Sequence, residues 1–215
     1  MKKKSKNTET KKDIELVIVM DRSGSMCAIQ SDMEGAINTY IKDQQKNFPH
    51  TKLTFVQFDT EYEVLHKAVK ITKVVDITLK PRGCTALFDA IGRTINETHT
   101  RLKEGKTLPQ LLFVIVTDGM ENSSTEFKRD TILKMIEGQK KNNWDFIFLG
   151  ANQDAIQEGS SIGIDAGKCL EYKTSGGAIR GMSSSLCCYT SSMRASSDTS
   201  KVGFTQKDRQ DQENS

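Results

Sequence analysis

Leu16-Val17-Ile18-Val19-Met20-Asp21-Arg22-Ser23-Gly24-Ser25-Met26 is the stretch whose reading decides the fold. Its first five residues form an unbroken apolar run. A strand buried on both faces, as in a parallel sheet, reads as such a run rather than as an alternation. Beyond the loop, Met26, Ile29, Met33, Ala36, Ile37, Tyr40 and Ile41 recur at helical spacing. They predict a helix ending near Asn47, because Pro49 forbids its continuation. An Asp-x-Ser-x-Ser loop therefore stands where a buried strand gives way to a helix. In open α/β sheets, ligands gather outside the carboxyl ends of the strands. One carboxylate and two hydroxyls at alternating positions bring three hard oxygens to one point, a donor set suited to Mg²⁺ or Mn²⁺. The competing reading is a Ser-rich turn in which Asp21 caps the helix.

Working outward, residues 51–58 and 62–69 read as strands joined by Asp59-Thr60-Glu61. A link that short joins antiparallel neighbours, so a mostly parallel sheet should carry one antiparallel edge strand. In residues 70–80, Val74, Val75 and Ile77 are apolar but the run is short, and it reads as a turn of helix or an extended arm. Pro81-Arg82-Gly83-Cys84 is a loop, and Thr85 stands at the start of a helix whose buried stripe is Leu87, Ala90, Ile91, Ile95, Thr98 and Leu102. Leu111 to Val116 is a second continuous apolar run, closed by Thr117-Asp118-Gly119, so Asp118 occupies the same kind of strand-end position as Asp21. A helix around 127–136, a strand at 145–149, a short helix near 154–162, a strand at 168–172 and a Ser-rich helix within 177–200 complete the pattern. Strands alternating with helices make the class α/β, with six strands and helices on both faces.

Composition narrows the function. The chain has 215 residues and a formal net charge of +3. Residues 1–12 hold six Lys against one Glu, which leaves the remainder slightly acidic at −2. A nucleic-acid surface on the folded part is therefore not expected. Residues 1–12 read as a basic disordered tail, 13–200 as the domain, and 201–215 as a polar disordered tail. The five cysteines show no zinc-like spacing and read as reduced and mostly buried, which points to the cytoplasm. No stretch is long and apolar enough to span a bilayer.

Three segments now deliver oxygens to one edge of the sheet: Asp21, Ser23 and Ser25; Thr85; and Asp118. Their order, Asp-x-Ser-x-Ser, then Gly83-Cys84-Thr85-Ala86-Leu87-Phe88-Asp89-Ala90, then Thr117-Asp118-Gly119, resembles the von Willebrand factor type A (vWA) family and its metal-ion-dependent adhesion site (MIDAS). The resemblance covers roughly residues 13–175. It implies a doubly wound, Rossmann-like sheet of order 3-2-1-4-5-6. It also implies that Asp21, Ser23, Ser25, Thr85 and Asp118 hold the cation, Asp118 often through water. Cys84 departs from the pattern, since a second glycine is common there. Phe148 to Ala155, with Gly159 to Gly163, resembles small stand-alone vWA proteins of bacteria and their phages.

Such a site implies a binding module. Two carboxylates at most balance a dication, and hydroxyls add no charge. The metal stays electrophilic, and a Glu or Asp carboxylate from a protein partner can replace its water. Two alternatives stand beside this. One is a Mg²⁺-dependent phosphatase with Asp21 as nucleophile. That chemistry wants a general acid two residues on, where this chain has Ser23, and neither a P-loop nor a nucleophile elbow is present. The other is a purely structural metal site, which needs fuller protein coordination. Glu121 and Asn122, beside Asp118, either shape specificity or cap the following helix. Trp144 reads as packing. His50, His66 and His99 fall outside the metal segments.

Overall fold

The computed structural model describes residues 14–105, 109–151 and 154–214. The basic stretch 1–12, and Asn152 and Gln153 of the phage-like stretch, lie outside the described residues. Six strands form one sheet: β1 (Ile14–Asp21), β2 (Lys52–Phe58), β3 (Tyr62–Lys70), β4 (Gln110–Thr117), β5 (Trp144–Ala151) and β6 (Cys169–Tyr172), in the order β3-β2-β1-β4-β5-β6. All neighbours are parallel except β2 and β3, the pair joined by the three-residue link.

The continuous apolar runs follow from burial on two faces. Leu16, Ile18 and Met20 of β1 point into one core, where α1 (Gln30–Asn47) and α5 (Gly176–Ala195) cover the sheet with Met33, Ile37, Tyr40, Ile179 and Leu186. Val17 and Val19 point into the other, beneath α2 (Leu87–Lys103), α3 (Arg129–Lys140) and α4 (Ala155–Ser161). Alternate residues of one strand thus serve opposite layers, and neither face needs polar positions. Trp144 is buried and stacks on Phe113 with ring centroids 6.4 Å apart, so it packs the second core.

Residues 71–80, read as a turn of helix or an extended arm, are both in succession and form a strap laid along α1. A single turn at Ile71–Lys73 precedes an extended segment whose Ile77 and Leu79 are buried. Its backbone is satisfied by side chains of α1. Glu34 accepts from the Leu79 amide (2.7 Å), and Asn38 exchanges two hydrogen bonds with Ile77 (2.7 and 2.8 Å). Gln45 donates to the Ile71 and Val74 carbonyls. Buried backbone groups must be paired somewhere, and here helix amides and a carboxylate replace a neighbouring strand. The strap delivers the chain to Pro81 and the loop that carries Thr85.

Two expectations need correction. The segment after residue 200, read as a disordered tail, is built into the fold. Val202 and Phe204 are buried, Phe204 lies 5.1 Å from the Tyr189 ring, and its amide donates to the Gly167 carbonyl at 2.8 Å. A polar helix, α6 (Gln206–Glu213), follows, started by a reciprocal capping box between Thr205 and Asp208. Two apolar anchors and a cap suffice where composition alone suggested disorder. The cysteines are free, but they are not mostly buried: Cys27, Cys84 and Cys188 are exposed, Cys187 is half-buried, and Cys169 is buried.

Candidate metal site

The five residues singled out in the sequence come together at the carboxyl edge of the sheet. β1 and β4 are adjacent and parallel, with Met20 level with Val116, so Asp21 and the Thr117-Asp118 end of β4 emerge side by side. Asp21 is fully buried. One of its oxygens accepts from the Ser23 amide at 2.6 Å and the other from the Thr117 hydroxyl at 2.6 Å. Ser25 donates to Asp118 at 2.6 Å, and its hydroxyl lies 3.0 Å from that of Ser23. Since the Ser25 proton goes to Asp118, Ser23 supplies the proton between the two serines. Thr85 closes the group. A Cβ placed on Gly119 would lie 3.6 Å from both the Ser25 and the Thr85 hydroxyl oxygens, so these two hydroxyls flank Gly119.

The loop bearing Thr85 is held from the β4–α3 side. Asn122 accepts from the Thr85 amide at 2.9 Å, and the Asn122 amide returns a bond to the Thr85 carbonyl at 3.1 Å. Glu121 accepts from the Phe88 amide in the first turn of α2 and from the Ser123 and Ser124 amides of its own loop. It therefore caps the helix after Thr85, not the helix that follows Glu121 itself. Asp89 adds three amide bonds, from Thr125, Glu126 and Phe127. A carboxylate at a helix start satisfies orphan donors and complements the helix dipole.

The electrostatics favour a cation. Burial pushes the Asp21 carboxyl up to about 6, against the opposing hydrogen bonds of Thr117 and Ser23. Burial also raises Asp118, opposed by the Ser25 hydroxyl. No Lys, Arg or His among the described residues neutralises either one. Arg22, the residue next to Asp21, turns its guanidinium away to Asp59 and Glu63. Two buried carboxylates without a countercharge, joined by three hydroxyls, are a donor set for a hard divalent ion, and the residues fit that group. Among the described residues no group of three or more His, Cys, Asp or Glu is placed to hold a metal ion, so a site here rests on hydroxyls beside two carboxylates. Ser25 is exposed, whereas Ser23, Thr85 and Asp118 are buried, so the cluster opens to solvent on one side.

Sequence reasoning missed Asp59. It sits just past the end of β2, the same kind of position as Asp21 and Asp118, and that strand-end placement was the available signal. The three histidines lie elsewhere: His50 precedes β2, His66 is within β3, and His99 is in the last turns of α2, away from the helix start that meets Thr85.

No family model matches the sequence, and no curated protein does. Solved structures match by shape. Proximal thread matrix protein 1 from the mussel byssus, in a structure with a zinc-occupied MIDAS motif, superposes with a TM-score of 0.63 at 14% identity, covering 83% of this chain and 48% of that one. A von Willebrand factor type A protein from Catenulispora acidiphila gives 0.59 at 15%, covering 84% and 43%. The pilus adhesin SpaC from Lactobacillus rhamnosus GG gives 0.65 at 12%, covering 84% and 30%. The chain spans less than half the length of each of these three. Its fold is that of vWA domains.

Proposed function

We propose that this protein is a metal-dependent protein-binding module. In this reading Asp21, Ser23, Ser25, Thr85 and Asp118 hold Mg²⁺ or Mn²⁺, and a Glu or Asp carboxylate of a partner protein completes the coordination. The observation that carries it is the pair of uncompensated buried carboxylates at a cluster open on its Ser25 side. A dication bound there keeps an electrophilic position facing solvent, which an acidic side chain can take. The zinc-occupied site of the mussel protein and the adhesin fold of SpaC support a module of this general kind.

The phosphatase alternative fares worse on the same geometry. Ser23 offers no proton donor of suitable acidity at the position where that chemistry needs one. A closed structural site is disfavoured by the exposed Ser25. No helix among the described residues is long and apolar enough to cross a membrane. We assign the working compartment to the cytoplasm, where free thiols persist.

The test is affinity capture of a binding partner in Mg²⁺, in EDTA, and with Asp21→Ala. Capture should need the metal and Asp21. Changing one acidic residue of the partner to its amide should abolish it. Capture that survives both EDTA and Asp21→Ala contradicts the reading.

A further inference from the structure

We propose that Asp59 is a positioning residue for the metal site, acting through Arg22 and Arg82, which sit in two different ligand-bearing segments. The inference rests on the metal-site reading above and adds residues which that reading does not use. Asp59 is 1% exposed. One of its carboxylate oxygens accepts from Nε of Arg22 at 2.9 Å and from Nε of Arg82 at 2.9 Å. The other accepts from the Glu61 amide at 2.6 Å, and the Asp59 carbonyl accepts from the Ala86 amide at 3.1 Å. Glu63 pairs with the far end of Arg22, and Glu61 with the far end of Arg82.

Arg22 lies between the ligands Asp21 and Ser23, and Arg82 leads into Thr85. Their segments are also stitched through the backbone. The Arg82 amide donates to the Arg22 carbonyl at 2.9 Å, and the Gly24 amide to the Gly83 carbonyl at 3.1 Å. Gly83 has φ +65°, and a Cβ there would lie 3.0 Å from the Thr60 hydroxyl and 3.5 Å from the Asp59 Cβ. The second segment seats against Asp59 and Thr60 because it has no side chain at this point. Together with these backbone bonds, one carboxylate therefore ties the segment of Ser23 and Ser25 to that of Thr85.

The cluster has a second consequence. Two guanidinium groups beside a cation site oppose metal binding, and Asp59, Glu61 and Glu63 cancel them. Position and charge then make opposite demands on Arg82. If Arg82 mattered only as a nearby positive charge, removing it would tighten metal binding. If it holds the second segment in place, removing it weakens binding.

Arg82→Gln separates the two, and its half-exposed side chain lets the variant fold. Mg²⁺ titration calorimetry well below the melting temperature should show binding weaker by about tenfold, the usual effect of losing an outer partner of a metal ligand. Asp59→Asn should weaken binding at least as much, and the double variant by less than the two effects combined. The Mn²⁺ electron paramagnetic resonance line should broaden in both single variants as the coordination becomes heterogeneous. Unchanged or tighter Mg²⁺ binding in Arg82→Gln overturns the inference. So does a lower melting temperature of the metal-free variant with an unchanged dissociation constant, which marks a plain fold brace. If Asp59→Asn does not fold, Arg82→Gln alone decides. A wild type that binds no Mg²⁺ overturns instead the metal-site reading on which the inference rests.

Discussion

Ser25 donates a hydrogen bond to Asp118 across 2.6 Å, although 93 residues separate them in the chain. The contact exists because β1 and β4 are neighbours in the sheet and end level with each other. It joins the Asp21–Ser25 segment to the end of β4, and makes the Ser25 hydroxyl part of the same polar cluster as both carboxylates.

Ser25→Ala and Thr85→Ala each remove one neutral oxygen from that cluster. Each should weaken Mg²⁺ binding by about tenfold, the equivalent of one lost hydrogen-bond-sized interaction. The metal-free melting temperature should also fall modestly for Ser25→Ala, since its hydroxyl donates to the buried Asp118 carboxylate. Calorimetric titration of the two variants checks the affinities, and thermal melts in EDTA check the stability.

Metal affinity should depend on pH through Asp21. Its carboxyl is raised to about 6 by burial, so protons compete with the metal below that value. Mg²⁺ binding should be about tenfold weaker at pH 5 than at pH 7, since one proton must leave. The metal-free fold should behave in the opposite sense. A carboxyl with a raised folded-state pKa binds its proton more tightly when folded. Metal-free stability therefore rises as pH falls from about 7 toward about 4, by an amount on the order of 3 kcal/mol from this group. Urea denaturation in EDTA across that range measures it.

How much of this was legible in the sequence can be judged residue by residue. Leu16 to Met20 and Leu111 to Val116 announce themselves, because strands buried on both faces need no polar alternation. The five oxygen-bearing residues of the cluster were visible for a related reason: Asp21 and Asp118 close apolar runs, and Ser23, Ser25 and Thr85 lie where a loop leads into a helix. The short apolar patches of 71–80 showed a turn or an extended arm but not its docking on α1, because the groups that satisfy its backbone, Glu34, Asn38 and Gln45, lie on a distant helix. α6 was hidden by its own composition, with eight residues and only Gln212 buried. Its anchors, Val202 and Phe204, precede it. Asp59 was passed over as part of a turn because its partners, Arg22 and Arg82, come from segments 37 and 23 residues away.

Glu121 is half-buried beside the site, yet its carboxylate is occupied by the amides of Phe88, Ser123 and Ser124. Glu121→Ala should therefore lower stability by about 2 kcal/mol, the cost of losing a helix cap and leaving amides unpaired. Chemical denaturation in EDTA tests this apart from any metal effect. A change below about 0.5 kcal/mol, the range of an ordinary surface substitution, contradicts the capping role.

Met120 is 61% exposed and follows Gly119, which the Ser25 and Thr85 hydroxyls flank. Glu121 and Asn122 fix the backbone that carries it. An exposed apolar side chain beside a metal site offers contact area to a residue flanking the partner's carboxylate. Met120→Ser should weaken partner binding by about tenfold, the effect of a modest contact residue, and leave Mg²⁺ affinity unchanged. Surface plasmon resonance with the captured partner, beside calorimetry with Mg²⁺, separates the two.

The central claim is that Asp21 is a ligand of a divalent cation. Asp21 lies at the strand end, where truncation opens no large apolar cavity, so Asp21→Ala should fold. Isothermal titration of wild type and Asp21→Ala with Mg²⁺ and with Mn²⁺ tests the claim most directly. The wild type should bind one ion and gain melting temperature on binding it, while Asp21→Ala should bind none and gain nothing. Equal metal affinity in the two proteins, or no binding by the wild type, would contradict the site and the function proposed for it.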